Sequence, residues 1–497
     1  MISRSSNVQA QLARDRLGAL LVACFVVASM GPLLVSAGLV PTAYAVASLT
    51  GVPAAFLAVA LALAVFAVGY VAMGRRIRNA GAFYAYISRG LGRPTGVGAA
   101  FVAVVAYNLM QVAIYGAFGT AAASYFADNG NLHLPWWIWA LLVWVLVTVM
   151  GLAQVRISSI LLGVLSAGEI LTILTLSARG LRRPAGGHVS LTALSPAGLH
   201  IGPTLGALIG IAVLSYVGFE QAVVYTEEAR NPQRTILRAT FLSLGALTLV
   251  YAVASWAMDV HYGGQTVAVA QAQGPGMLFG MAPGPIASAG RSLYLTALFA
   301  ALLAFHNAVW RYMYSLGREH VLPGILARTA SGIPRGASLV QSGIGLAVIA
   351  LAAALHWDPM SQLFYWAGTA GGFGVLILLA LTSIAALVFF ARTPQDATVW
   401  QRIIAPGLSA LALGYMTYLC ARNFAALLGV PATSRAAIYL PALFPVAFLL
   451  GLGLALYLRR ARPETYARIG LGPDTALAVT ADSSTLTASA IAEGTTP

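Results

Sequence analysis

Residues 17–48 read LGALLVACFVVASMGPLLVSAGLVPTAYAVAS, an apolar run with Gly31 and Pro32 at its centre. A helix of about 20 apolar residues crosses the hydrocarbon layer of a bilayer. This run is longer than that and far exceeds the roughly 7–15 apolar residues of a cleaved leader. It is therefore expected to stay in the chain, although Ala43-Tyr44-Ala45 looks like a cleavage site. Pro32 brings no N–H and clashes with the preceding turn, and Gly31 is a weak helix former. The helix is expected to open at Ala28-Ser29-Met30-Gly31-Pro32.

The rest of the chain has the same character. Of 497 residues, 59% are hydrophobic and only 8% charged. Soluble domains carry about 25% charged residues. Too few charges are present to wet a globular surface of this size, and disorder would need low hydrophobicity. A polytopic membrane protein remains. Cys24 and Cys420 both lie in apolar segments, so no disulfide framework is implied.

Twelve apolar segments have spanning length: 17–48, 52–73, 96–126, 135–151, 157–177, 204–228, 238–258, 291–316, 338–356, 361–390, 403–428 and 438–458. Lipid offers the backbone no hydrogen-bond partner, so such segments must be helical. The expected fold is an all-α integral membrane protein of 12 transmembrane helices. Every basic residue is Arg, and the net charge is +14. With the N-terminus inside, 21 of the 28 Arg fall on the cytoplasmic side and six outside, the cluster Arg179, Arg182 and Arg183 being the main exception. That bias follows the positive-inside rule. Both termini are expected in the cytoplasm and the chain in the cell membrane, plasma or inner. The charge thus reports orientation, and no nucleic acid partner is expected. Residues 1–16 and 459–497 read as cytoplasmic tails, the second expected to be disordered.

A second interruption lies in the sixth segment, at Ser215-Tyr216-Val217-Gly218-Phe219-Glu220. The two breaks are five spans apart, and a five-span repeat must be inverted in the membrane. Residues 17–177 and 204–390 would form the two repeats, with 403–458 adding two helices. Discontinuous helices at matching places of inverted repeats are a pointer to a transporter's binding site. The N–H groups freed at a half-helix N-terminus can hold a carboxylate. Freed carbonyls can hold an ammonium or a cation.

Residues 215–238, SYVGFEQAVVYTEEARNPQRTILR, resemble the sixth-span signature of the amino acid–polyamine–organocation (APC) superfamily of permeases. Residues 79–96, NAGAFYAYISRGLGRPTG, are similar to that family's first cytoplasmic loop, and 304–323, AFHNAVWRYMYSLGREHVLP, to the end of its eighth span. The resemblance implies a LeuT-like fold with a five-plus-five inverted repeat and discontinuous helices 1 and 6. It implies that Ser29, Met30, Gly31 and Pro32 receive the α-carboxylate of an amino acid. Many members have a Gly-rich run there; this chain has Ser-Met-Gly-Pro. The second break, Leu214, Ser215, Tyr216, Gly218 and Phe219, would meet the α-amino group and shape the side-chain pocket. Relatives can carry a Lys near position 169 that stands in for a transport cation. Glu169 cannot imitate it, but could carry a proton or ligate a cation.

Ionisable groups inside spans are costly and mark functional or paired sites. Glu220 is either a structural acid bonded to a neighbouring helix or a proton-linked gate. The same choice holds for Glu169. His306 reads either as a structural partner of Asn307 or as a titrating group. Glu227 and Glu228 are expected to form a solvated cap with Arg230 and Arg234, with a gate to Arg75 or Arg76 as the other reading. Tyr107, Gln111 and Tyr115 are four apart and share a helical face, serving interhelical bonding or substrate contact. Tyr365 and Trp366 suit an external gate or an interfacial belt. Residues 259–290 could form an external lid.

No phosphate loop, HExxH or Cys/His cluster occurs, so neither cofactor nor metal is expected, and no enzyme. The leading expectation is proton-coupled symport of a neutral amino acid, with sodium as the other possible ion. Exchange of amino acids, amines or polyamines is the alternative, and a non-transporting sensor a distant third.

Overall fold

The computed structural model describes residues 17–472 apart from 78, 153–154, 200–201, 283, 330–332 and 394–396. The expectations for residues 1–16 and 473–497, and for Arg78, lie outside them. Among the described residues, twelve long helices follow in chain order: α1 Ala19–Ala47, α2 Val52–Gly74, α3 Arg93–Gly130, α4 Trp136–Gly151, α5 Val155–Leu181, α6 Thr204–Tyr225, α7 Pro232–Tyr262, α8 Pro285–Arg318, α9 Arg335–Ala354, α10 Pro359–Arg392, α11 Trp400–Arg422 and α12 Arg435–Ala461. Eleven are long and apolar enough to cross a membrane, and α4 is a shorter apolar helix of 16 residues. Several run past the apolar windows: α3 and α7 exceed 96–126 and 238–258 at both ends. Hydropathy marks only what sits in hydrocarbon, whereas helical hydrogen bonding continues into polar turns. The eleventh span is shorter than expected, because its chain turns at Asn423 before a separate helix, Phe424–Leu427.

The interior is built around α1 and α6. α1 packs against α5, α7, α8 and the second half of α6, and α2 packs against α6, α7 and α11. Within its most apolar window α6 is 89% buried, against 17% for α12, so α12 lies at the periphery. Of the stretch 259–290, α7 takes the start to Tyr262 and α8 the end from Pro285, and between them lie two short helices, Thr266–Gln273 and Gly276–Gly280. Gln271 bonds the carbonyl of Ala45, and Met277, Leu278 and Phe279 are buried, so this segment caps the C-terminal end of α1.

Both interruptions are present. α1 stops at Met30; Gly31 is left-handed at φ 55°, and Pro32 starts the next turn. α6 stops at Tyr216, Gly218 has φ 117°, and tight 3-10 turns continue over Phe219–Tyr225. Positive φ suits glycine because no Cβ meets the carbonyl.

Candidate functional site

The two breaks touch. A Cβ on Gly218 would lie 2.7 Å from Ser29 Oγ and 2.9 Å from the Met30 nitrogen, so only glycine lets α6 approach α1 this closely. Ser29 Oγ donates to the Val26 carbonyl at 2.8 Å and lies 3.3 Å from the Gly218 carbonyl. The backbone groups released by the breaks are then met one by one. Tyr251 of α7 donates its hydroxyl to the Met30 carbonyl at 2.7 Å. The Leu33 N–H, at the second residue of the second half of α1, donates to Glu169 Oε2 of α5 at 3.1 Å. Gly218 N–H donates to Glu220 Oε2 at 2.9 Å.

Glu220 is fully enclosed. Tyr107 of α3 donates to its Oε1 at 2.5 Å, and Tyr70 of α2 donates to its backbone carbonyl at 3.1 Å. Tyr107 packs its ring on Tyr312 and Phe305 of α8, which fixes where its hydroxyl points. Phe219 is buried edge-to-face against Phe66. Ser215 bonds back to Ile211, Tyr216 donates to Phe56 of α2, and Leu214 sits against Gly372 of α10. Glu169 is wholly buried and leaves Oε1 without a hydrogen-bond partner.

The structure therefore gathers Ser29, Met30, Gly31, Pro32, Gly218, Phe219, Glu220, Glu169 and Tyr107 at one locus. Gln111 is drawn elsewhere: its side-chain oxygen accepts from Gln341 of α9 at 2.6 Å. The polar face of α3 is thus divided, Tyr107 to α6 and Gln111 to α9. His306 packs against Gly151 of α4 and bonds Ser338 of α9 at 3.0 Å, with its other ring nitrogen unpartnered. Trp366 lines an apolar crevice of about 500 Å³ together with Val104, Val112, Val348 and Trp357.

Tyr251 and Tyr70 escaped sequence reasoning, since a span tyrosine carries no local sign of the carbonyl it caps. The largest correction concerns Glu227 and Glu228. Instead of a solvated cap, Glu228 is buried and bound two-pronged by Arg311 of α8, at 2.8 and 3.1 Å. Glu227 receives Arg318 of α8 at 2.7 and 2.8 Å and the Ala80 N–H at 2.9 Å. Arg311 was the available signal, being a charge inside a span that had to find a carboxylate. Next to these pairs Glu319 accepts from Asn79, Tyr84, Gly470 and Gly472. Leu17 pairs its backbone with Glu228 and Arg230. The chain thus keeps fixed structure beyond α12, through a short helix Pro463–Arg468 to Gly472, which Glu319 holds at this arginine-rich end of the bundle.

Three crystal structures of mutants of the Eremococcus coleocola manganese transporter share this fold. They superpose with TM-scores of 0.58, 0.57 and 0.57 at 16, 17 and 16% identity, covering 93% of this chain and 99% of theirs. No curated protein sequence matches the chain. The family described as "Amino acid permease" matches residues 17–450, and the chain belongs to that family, within the APC superfamily of membrane transporters.

Proposed function

We propose that this permease is a secondary active transporter that moves a small amino-bearing solute, an amino acid or an amine, across the cell membrane by alternating access. One observation carries the reading: two helix breaks meet in the interior, and their released backbone groups are contacted by the carboxylates Glu169 and Glu220. Helix breaks of this kind bind charged solutes at the midplane. The closed arginine-rich end, with Glu228–Arg311 and Glu227–Arg318, is the cytoplasmic gate in this reading, and both termini lie on that side. The Arg bias supports the orientation.

The driving ion is the proton, carried by Glu220, which Tyr107 and Gly218 hold in place. Apolar Met30, Leu214 and Phe219 favour a neutral or apolar substrate side chain. Uptake of radiolabelled amino acids and amines into proteoliposomes, with and without a pH gradient, tests this. Accumulation that follows the gradient and is abolished in Glu220→Gln is expected. Uptake indifferent to both would overturn proton coupling, and trans-stimulated uptake without a gradient would favour exchange.

A further inference from the structure

The second half of α1, residues 32–47, presents its N-terminal end to the interior, where the positive pole of a helix would receive a solute's carboxylate. In this chain that pole is already served. The first N–H after Pro32, that of Leu33, donates to Glu169 Oε2 at 3.1 Å. Glu169 is 0% exposed, and its Oε1 has no partner. The neighbouring released carbonyl, Met30, is taken by Tyr251. A buried carboxylate oxygen left unpaired is costly unless a donor or cation completes it.

We infer that Glu169 takes the place of a substrate carboxylate at the α1 break, so that the preferred substrate is an organic amine lacking an α-carboxylate. The inference rests on the transport reading above. A zwitterionic amino acid brings a second carboxyl group to a pole whose Leu33 N–H Glu169 already occupies, so it finds that donor taken. A protonated amine needs no such donor. Its ammonium has an open acceptor in Glu169 Oε1. Glu220, at the adjoining α6 break, supplies a second carboxylate, and its Oε1 and Oε2 are bonded by Tyr107 and Gly218. The buried cation Arg311 is committed to Glu228. A metal ion fits less well, since among the described residues no three His, Cys, Asp or Glu side chains are grouped to hold one.

The test uses the full chain in proteoliposomes and compares each amino acid with its decarboxylated counterpart: phenylalanine with phenethylamine, tryptophan with tryptamine, leucine with isopentylamine. The amine of each pair is expected to half-saturate uptake, or to stabilise the purified protein, at a concentration at least about tenfold lower. Glu169→Gln should bring that ratio toward one, with Glu169→Asp retaining most of it. Preference for the amino acid in every pair overturns the inference and leaves the transport reading intact. No uptake of either class overturns both. The wild-type pairs decide the matter even if a variant does not fold.

Discussion

Arg311 and Glu228 face each other 2.8 Å apart, one 0% and the other 2% exposed, and join α8 to the end of α6. The guanidinium also donates to the Asn307 carbonyl and lies over the rings of Trp310 and Tyr225. Desolvation of both charges is offset only by this full set of partners, so removing one side strands the other. Arg311→Met and Glu228→Leu should each cost about 3–5 kcal/mol. The double variant should cost clearly less than their sum. Thermal unfolding of the detergent-solubilised protein reads both, and strict additivity would argue against the coupling.

Gly218→Ala strains the α6 break twice. It puts a Cβ at φ 117° and drives it to 2.7 Å from Ser29 Oγ and 2.9 Å from the Met30 nitrogen. Backbone strain alone costs about 1–3 kcal/mol. Uptake should fall at least tenfold while the helical circular dichroism signal is kept. Gly245→Ala, with open space around its Cβ, should behave like wild type.

Arg318 binds Glu227 as a partly buried fork that ties α8 to α6 and, through Ala80, to the segment after α2. Arg318→Ala should weaken closure of this end by about 1 kcal/mol, roughly fivefold in the open population. Thiol labelling of Ser29→Cys, in a background lacking Cys24 and Cys420, should accelerate accordingly. Exchanging the two charges, with Glu227→Arg and Arg318→Glu, should restore much of the slow rate.

Glu319 gives the folded protein a pH dependence. Burial pushes its carboxyl above the ordinary carboxylate range, against the pull of Tyr84, Gly470, Arg318 and Gly472. A carboxyl raised in the folded state binds its proton more tightly there than in the unfolded chain. Its contribution to stability is therefore fullest at low pH and is lost as pH rises through the folded value. The thermal midpoint of the wild type should fall relative to that of Glu319→Gln as pH rises across this range, and a difference that does not change with pH would overturn the assignment.

The sequence by itself determined what depends on local chemistry. Pro32 without an N–H and Gly31 beside it open α1 wherever that helix lies, and Gly218 does the same for α6. Apolar length dictates helices because lipid leaves the backbone no other partner. Family membership was carried by the run from Ser215 to Arg238. The tertiary structure decided what depends on packing between segments distant in the chain. Leu33 and Glu169 are 136 residues apart, Arg311 and Glu228 are 83 apart, and Glu319 finds Gly470 after 151. Nothing in the spacing of Glu227 and Glu228 favoured Arg318 and Arg311 over nearer arginines. A buried carboxylate takes whichever cation is desolvated beside it, and that choice is made by how α6 packs on α8. Gln111 and Tyr107 share one helical face, yet α9 claims the first and α6 the second. Periodicity gives the direction of a side chain, and only packing supplies the neighbour it meets.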